Sequence, residues 1–132
     1  MAYASSLLRD PARMYRDVDL AGRTAAADGP ALVQLLYEEL TQALRVAAWA
    51  ADHQKFSTKS ERVTRATAIL FALEANLDFE RGGEVSRTLA RFYAGCRRHV
   101  VDASIGTEGA PFRAVASELE EIAGAWKQAR AT

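Results

Sequence analysis

The chain has 132 residues, of which 49% are hydrophobic and 26% charged, the composition of an ordinary globular protein of one domain. Lysine plus arginine equal aspartate plus glutamate at 17 each, so no excess charge favours nucleic acid or an anionic membrane. No apolar run approaches the roughly 20 residues of a membrane span, the N-terminus lacks a secretion-signal pattern, and the single cysteine fits a reducing compartment. We therefore expect a cytoplasmic protein that binds no nucleic acid and does not insert into membranes.

The first element is an N-terminal arm over residues 1–29, which shows no clear period and ends in Asp28-Gly29-Pro30. Proline suits the first turn of a helix, and a preceding Gly or Asp can cap it. We predict that the arm is partly flexible, or carries a short extra helix, and that a bundle domain spans residues 30–132.

Four amphipathic helices follow the arm. The first starts at Pro30 and ends near Asp52, with an apolar stripe at Leu32, Leu36, Leu40, Ala43 and Ala47. After the hydroxyl-rich FSTKSE, the second helix carries Val63, Ala66, Leu70, Leu73 and Leu77. The third carries Val85, Leu89, Phe92, Cys96, His99 and Ala103. After the glycine-containing IGTEGAP, the fourth carries Phe112, Val115, Leu119, Ile122 and Trp126.

The spacing of these stripes predicts the fold class. In the last three helices, steps of three and four residues alternate, which suits left-handed packing of neighbouring helices. No segment shows the period-two pattern of a strand. Because the connections are short, we predict an all-α, antiparallel four-helix bundle.

The sequence offers little for catalysis or metal binding. The Glu-x-x-His pattern of di-metal bundles is absent, and the only histidines are His53 and His99. Cys96 and His99 are three residues apart, but two ligands do not close a zinc site. Both continue the apolar stripe of the third helix, which favours a buried thiol and a hydrogen-bonded imidazole in the core. We predict no enzyme activity, no cofactor and no metal.

Aromatic residues beside the stripes allow two interpretations. Tyr37 and Tyr93 each lie one residue from a stripe position, about 100° around the helix, and Phe79 follows the second helix. These rings either widen the core or line an apolar groove that binds a partner. In the second case, Tyr15 of the arm could cover the groove while the partner is absent.

Three blocks of sequence resemble a known family in their order and spacing: LVQLLYEELTQAL, LDFERGGEVSRTLARFY and ELEEIAGAWKQA. Together they resemble the FliS family of flagellin-specific export chaperones, from about Pro30 to the C-terminus. The matching residues are Leu32, Val33, Leu36, Tyr37 and Glu38, then Leu77, Asp78, Gly82, Gly83, Glu84, Val85, Leu89 and Tyr93, and finally Trp126. The chain departs from the family at Gly29-Pro30, where the family has Ser-Pro, and in a longer link after Tyr15.

The resemblance implies a function in the assembly of the bacterial flagellum. Members of the family bind the disordered C-terminal segment of flagellin in the cytosol, prevent its premature polymerisation and assist protein secretion by the type III export system. The export gate of that system is a further expected partner. We expect a monomer that binds flagellin one to one; the alternative is a homodimeric helical-bundle interaction protein without chaperone activity.

The resemblance also suggests site residues. Tyr15 would cap the groove in the free protein, as the family's N-terminal tyrosine does. At the joint between the second and third helices, Gly82 or Gly83 would take the left-handed conformation that ends the second helix. Asp78 would cap or brace this joint, and Glu84 would enter the first turn of the third helix, where the helix dipole favours a negative charge. The predicted groove residues are Leu36, Tyr37, Leu40, Leu73, Leu77, Phe79, Leu89, Phe92 and Tyr93.

Overall fold

The computed structural model describes residues 29–131 as four helices. Helix α1 spans Gly29–Asp52, α2 spans Phe56–Ala75, α3 spans Phe79–Ile105 and α4 spans Ala110–Ala131. No strand occurs in this range, so the predicted all-α fold is confirmed. Leu36 and the residues after it form one compact unit, the bundle. The predicted arm lies almost wholly outside the described residues, and its boundary stays a prediction.

Ion pairs between α1 and α4 show that these helices run antiparallel. Asp52, the last residue of α1, pairs with Arg113 in the first turn of α4 at 2.9 Å. Arg45 lies earlier in α1 and pairs with Glu120, later in α4, at 2.6 Å. The order of contacts is therefore reversed between the two helices, as an up-and-down bundle requires.

Helices α2 and α3 are antiparallel by the same criterion. Near the start of α2, the Lys59 ammonium donates to the Ser104 carbonyl near the end of α3 at 3.0 Å. Further along α2, Glu74 pairs with Arg97, which lies earlier in α3, at 2.7 Å. The connection between them is only Asn76–Asp78, short enough to keep consecutive helices adjacent.

The predicted apolar stripes of α1, α2 and α4 form most of the core. Leu32, Val63, Leu77 and Ile122, nearer the ends of these stripes, are half-buried. The stripe members with buried side chains are Leu36, Leu40, Ala43, Ala47, Ala66, Leu70, Leu73, Phe112, Val115 and Leu119.

The core face of α3 overlaps the predicted stripe but is turned partly away from it. Its buried residues are Ser86, Tyr93, Cys96, Val100 and Ala103, spaced by three, four or seven residues. Cys96 and Ala103 are buried as predicted, but Ser86, Tyr93 and Val100 are buried where the stripe had their preceding neighbours Val85, Phe92 and His99. The buried Cys96 is confirmed, but Val85 and His99 are exposed, so the expected core imidazole was wrong.

Helix α2 ends before the glycine pair and is not closed by Gly82 or Gly83 as predicted. Helix α2 ends at Ala75, and Asp78 caps α3 by accepting hydrogen bonds from the backbone N–H groups of Glu80 and Arg81, at 3.1 and 3.0 Å. A carboxylate at the N-cap satisfies donors that the first turn leaves unpaired, which is why α3 begins here. The glycines lie one turn later, inside α3.

Gly82 and Gly83 instead kink α3 after its first turn. Gly83 has φ 49° and ψ −121°, a non-helical conformation outside the left-handed helical region, which only glycine adopts easily. The Ser86 hydroxyl donates to the Asp78 carbonyl at 2.8 Å across the kink. A Cβ at Gly82 would collide with that hydroxyl. Glu84 therefore begins the longer, straight part of α3.

Candidate functional site

A pair of tyrosines joins α1 and α3 through the middle of the bundle. The Tyr37 and Tyr93 hydroxyls are 2.8 Å apart, their ring centroids 6.2 Å apart in an edge-on arrangement. Each residue is only 1% exposed. Burial raises the pKa of both phenols, and the hydrogen bond raises that of Tyr37 further. The pair is therefore neutral at physiological pH and acts through packing and hydrogen bonding.

The Cys96 thiol is unreactive because it too is buried. Burial, with a smaller contribution from the negative charge of Glu118, raises the pKa of Cys96 to about 12. A thiol that stays protonated is a poor nucleophile and a poor metal ligand. Within residues 29–131, no three His, Cys, Asp or Glu side chains group closely enough to hold a metal ion.

The predicted groove residues fall into two sets in the structure. One set lies in the interior and would contact a partner only if the bundle opened locally. Its members are Leu36, Tyr37, Leu40, Leu73 and Tyr93. The other set is partly exposed and consists of Leu77, Phe79, Leu89 and Phe92. Tyr15, the predicted cap, lies outside the described residues. The role of both sets in binding stays a prediction.

The partly exposed set comes from the chain on either side of the kink in α3. Phe79, the first residue of α3, is 49% exposed. Leu89 and Phe92 lie further along the helix, where Val85, 68% exposed, adds to them at a spacing of four and three residues along one side. We call Leu77, Phe79, Val85, Leu89 and Phe92 the joint region. The sequence named all five residues, but it placed Val85 only on the apolar stripe of the third helix and not among the groove residues.

A concave surface lies between α3 and α4. It is a groove of about 380 Å³ whose floor includes Ala103 and Val115, with His99, Asp102 and Glu118 at its rim. Pro111 and Ala114 complete the lining. Sequence reasoning missed this groove because it placed His99 in the core; the charged residues on the same turns were the available signal.

Comparison with known proteins identifies the family. The family model for flagellar protein FliS matches residues 11–132, nearly the whole chain. The chain belongs to the FliS family. The predicted resemblance is thereby confirmed, and the family match also includes part of the N-terminal segment beyond the described bundle.

Curated relatives of the FliS family match over similar lengths. The chain is 27% identical to the flagellar secretion chaperone FliS of Salmonella typhimurium (strain LT2), over 88% of this chain and 87% of the relative. It is 26% identical to the flagellar secretion chaperone FliSB of Pseudomonas aeruginosa, over 86% of this chain and 90% of the relative. Among residues 29–131, no helix combines the length and hydropathy of a membrane span.

Proposed function

We propose that this FliS-family protein is a cytoplasmic chaperone for the C-terminal segment of flagellin. It covers that segment after synthesis, prevents premature polymerisation and assists delivery to the flagellar type III export system. The observation that carries the proposal is the family match across residues 11–132, together with relatives named as flagellar secretion chaperones.

The chemistry of such a partner fits a binding module without an active site. A disordered segment that later packs as a helix carries an apolar face, which aggregates unless another surface covers it. The bundle offers apolar side chains that are partly exposed, and its buried phenols and thiol are held protonated. Binding that depends on apolar contacts is also reversible, as release at the export gate requires.

The joint region is our proposed contact for the flagellin segment. Its side chains are apolar, belong to the joint and the first half of α3, and include Phe79, which is half-exposed at the N-terminus of that helix. Covering such side chains removes apolar surface from water, which stabilises the complex by about 25 cal/mol for each Å² buried. The buried tyrosine pair beneath the bundle surface would hold α1 and α3 in place while a partner docks.

Calorimetric titration with a peptide covering the C-terminal segment of the same organism's flagellin tests the proposal. We expect saturable one-to-one binding with a negative heat-capacity change, because the complex buries apolar surface. A folded protein that fails to bind the peptide would overturn the proposal. If the molecular mass of that protein also rises with its concentration, the alternative function, a homodimeric interaction protein, would be favoured instead.

Two phenylalanines of equal exposure provide a matched pair of variants. Phe79 in the joint region is 49% exposed and Phe71 on α2 is 53% exposed, so the two substitutions remove rings of similar exposure. We expect Phe79→Ser to weaken flagellin-peptide binding by about tenfold, the loss of part of one buried ring, and Phe71→Ser to leave it unchanged. Equal affinities in the two variants would remove the joint region from the binding site.

A further inference from the structure

The cap and first turn of α3, residues 78–82, contain no buried residue. Phe79 is the only large apolar side chain among them, and it is half-exposed. Segments with little buried apolar surface open locally at a lower free energy than the whole protein unfolds. We call residues 78–82 the flap. Because burial does little to hold the flap, its polar contacts decide whether it stays closed.

Most polar contacts of the flap are internal to it. The Asp78 carboxylate accepts hydrogen bonds from the backbone N–H groups of Glu80 and Arg81. The Asp78 carbonyl accepts from the Gly82 N–H at 2.8 Å. The Arg81 guanidinium also lies 3.8 Å from the Asp78 carboxylate. All these contacts move with the flap, so none of them attaches it to the rest of α3.

The charged side chains on the two sides of Gly83 do not pair with each other. Glu84, just after the hinge position, pairs with Arg87 at 3.0 Å and with Arg91 at 3.5 Å, both further along α3. Within residues 29–131, no ion pair joins the flap to a residue outside it. Electrostatic attraction therefore stabilises the flap and the long part of α3 separately.

The side chain of Ser86 ties the flap to the long part of α3. Its hydroxyl donates to the Asp78 carbonyl at 2.8 Å, and the residue is only 5% exposed. No other side-chain hydrogen bond in the described part of the chain joins the flap to a later residue. Between the two lies Gly83 at φ 49°, which has no Cβ to restrict rotation of the backbone. This arrangement is a latch beside a hinge.

The closed flap limits what a partner can cover at the joint region. Phe79 is 49% exposed, so the protein itself covers about half of this side chain, and the adjacent Leu77 is half-buried as well. A partner that binds the closed flap covers only the exposed part of the ring. A partner that binds the open flap can cover the whole ring, which removes more apolar surface from water. The open form therefore has the higher affinity.

We propose that the flap is a hinged gate of the flagellin site. Rotation about Gly83 breaks the hydrogen bond between Ser86 and Asp78 and presents Phe79 to the flagellin segment. The proposal rests on the proposed contact of flagellin with the joint region. In the free protein the latch keeps the flap closed, and flagellin shifts the population towards the open form. Ser86 sets the affinity through this equilibrium, as a positioning residue.

Native-state hydrogen exchange of the full chain, followed by NMR, tests whether the flap opens by itself. We expect the flap amides to exchange through a local opening whose rate is nearly independent of low urea concentrations, because little surface is exposed. The amide of Val100, in the core, should exchange through an opening that urea promotes. An equal urea dependence for the flap amides and Val100 would overturn the gate.

Ser86→Ala removes the latch without adding volume. It should speed exchange of the flap amides by about two- to tenfold, the effect of one hydrogen bond. Ser104→Ala is the matched control, since the Ser104 hydroxyl donates to the Val101 carbonyl at 2.6 Å near the other end of α3. It should leave exchange of the flap amides unchanged. An equal effect of the two substitutions on the flap would show that Ser86 is no latch.

The same two variants test the coupling to flagellin. When only the open form binds tightly, the apparent affinity rises in proportion to the population of that form. Ser86→Ala should therefore bind the C-terminal flagellin peptide about two- to tenfold more tightly than the wild type, by the factor that hydrogen exchange gives for opening. Ser104→Ala should bind like the wild type.

The binding results separate failure of the gate from failure of the proposed function. Faster exchange of the flap in Ser86→Ala, with unchanged or weaker peptide binding, would overturn the gate while the wild type still binds flagellin. A folded wild type that does not bind the peptide would overturn the proposed function, and the gate with it.

Discussion

At the scale of single residues, the tyrosine pair is the most consequential contact in the bundle. Tyr37 and Tyr93 bring two hydroxyls together at 2.8 Å where water is excluded. Each ring supplies a large apolar area, and one hydroxyl donates to the other, so α1 and α3 can pack closely with both oxygens in a hydrogen bond. A hydrogen bond of this kind also fixes the relative position of two helices that are not consecutive in the chain.

Removing one hydroxyl of this pair should cost more than removing both. In Tyr37→Phe, the buried Tyr93 hydroxyl loses the partner that it has in the structure, and we expect the free energy of unfolding to fall by about 1–3 kcal/mol. Tyr37→Phe/Tyr93→Phe removes the stranded hydroxyl and should be more stable than Tyr37→Phe alone. Urea unfolding midpoints measure both effects; a double variant less stable than the single one would contradict this account.

At the scale of elements, α3 is the helix whose geometry departs most from a regular pattern. Asp78 starts it, Gly83 kinks it after one turn, and Ser86 reaches back to the Asp78 carbonyl to hold the kink. Because the kink precedes Val85, the long part of α3 has its own rotation about the helix axis. That rotation puts Tyr93 in the core and leaves Val85 exposed.

The kink makes a clear prediction about two glycines. Gly83 and Gly124 both have open space where a Cβ would stand, so backbone conformation alone distinguishes them. At φ 49° and ψ −121°, Gly83→Ala should destabilise the protein by about 1–3 kcal/mol. Gly124→Ala, inside α4, should stabilise it by up to about 1 kcal/mol. The unfolding temperatures of both variants check this prediction. If both substitutions change the unfolding temperature in the same direction and by a similar amount, the kink carries no strain.

At the scale of the whole molecule, side chains tie together the end of the bundle where α1 and α3 finish and α2 and α4 begin. Lys59 of α2 donates to the carbonyls of Ser104, in the last turn of α3, and Gly106, just after it. Asp52 accepts from the Gly109 N–H at 2.7 Å and from Arg113 at 2.9 Å, which joins α1 to α4. A Cβ at Gly109 would collide with the Ala48 carbonyl, so glycine permits this approach.

The Asp52 contacts predict how stability depends on pH. The Gly109 N–H, and then Arg113, lower the pKa of this carboxyl below 3.8 in the folded protein. The stabilisation is therefore complete above the unfolded pKa and is lost as the pH falls through the lower folded value. Asp52→Asn should be less stable than the wild type at pH 7, with a difference that narrows below pH 3.8.

Urea unfolding at a series of pH values measures this difference. Asp102→Asn is the control, because Asp102 is exposed and has neither a hydrogen bond nor an ion pair among the residues that the structure describes. It should leave the midpoint at pH 7 nearly unchanged. A constant difference between Asp52→Asn and the wild type down to pH 2 would show that Asp52 acts without its charge.

The sequence by itself determined the fold class, the approximate helices and the family, since each depends on local periods and on residues close together in the chain. Pro30 and Asp52 delimited α1 closely, and the stripes of α1, α2 and α4 supplied most of the core. Of the candidate site, the sequence supplied the residues of the joint region but not which of its neighbours are buried.

Only the tertiary structure decided the rotation of α3 and what it exposes. A stripe through Val85, Phe92 and His99 fits the same period as one through Ser86, Tyr93 and Val100, so periodicity could not separate them. The kink at Gly83 and the hydroxyl contact between Tyr37 and Tyr93 favour the second. The physical reason is that the core face of a helix depends on its neighbours: packing partners distant in the chain decide which of two overlapping stripes is buried, a choice that the helix's own sequence leaves open.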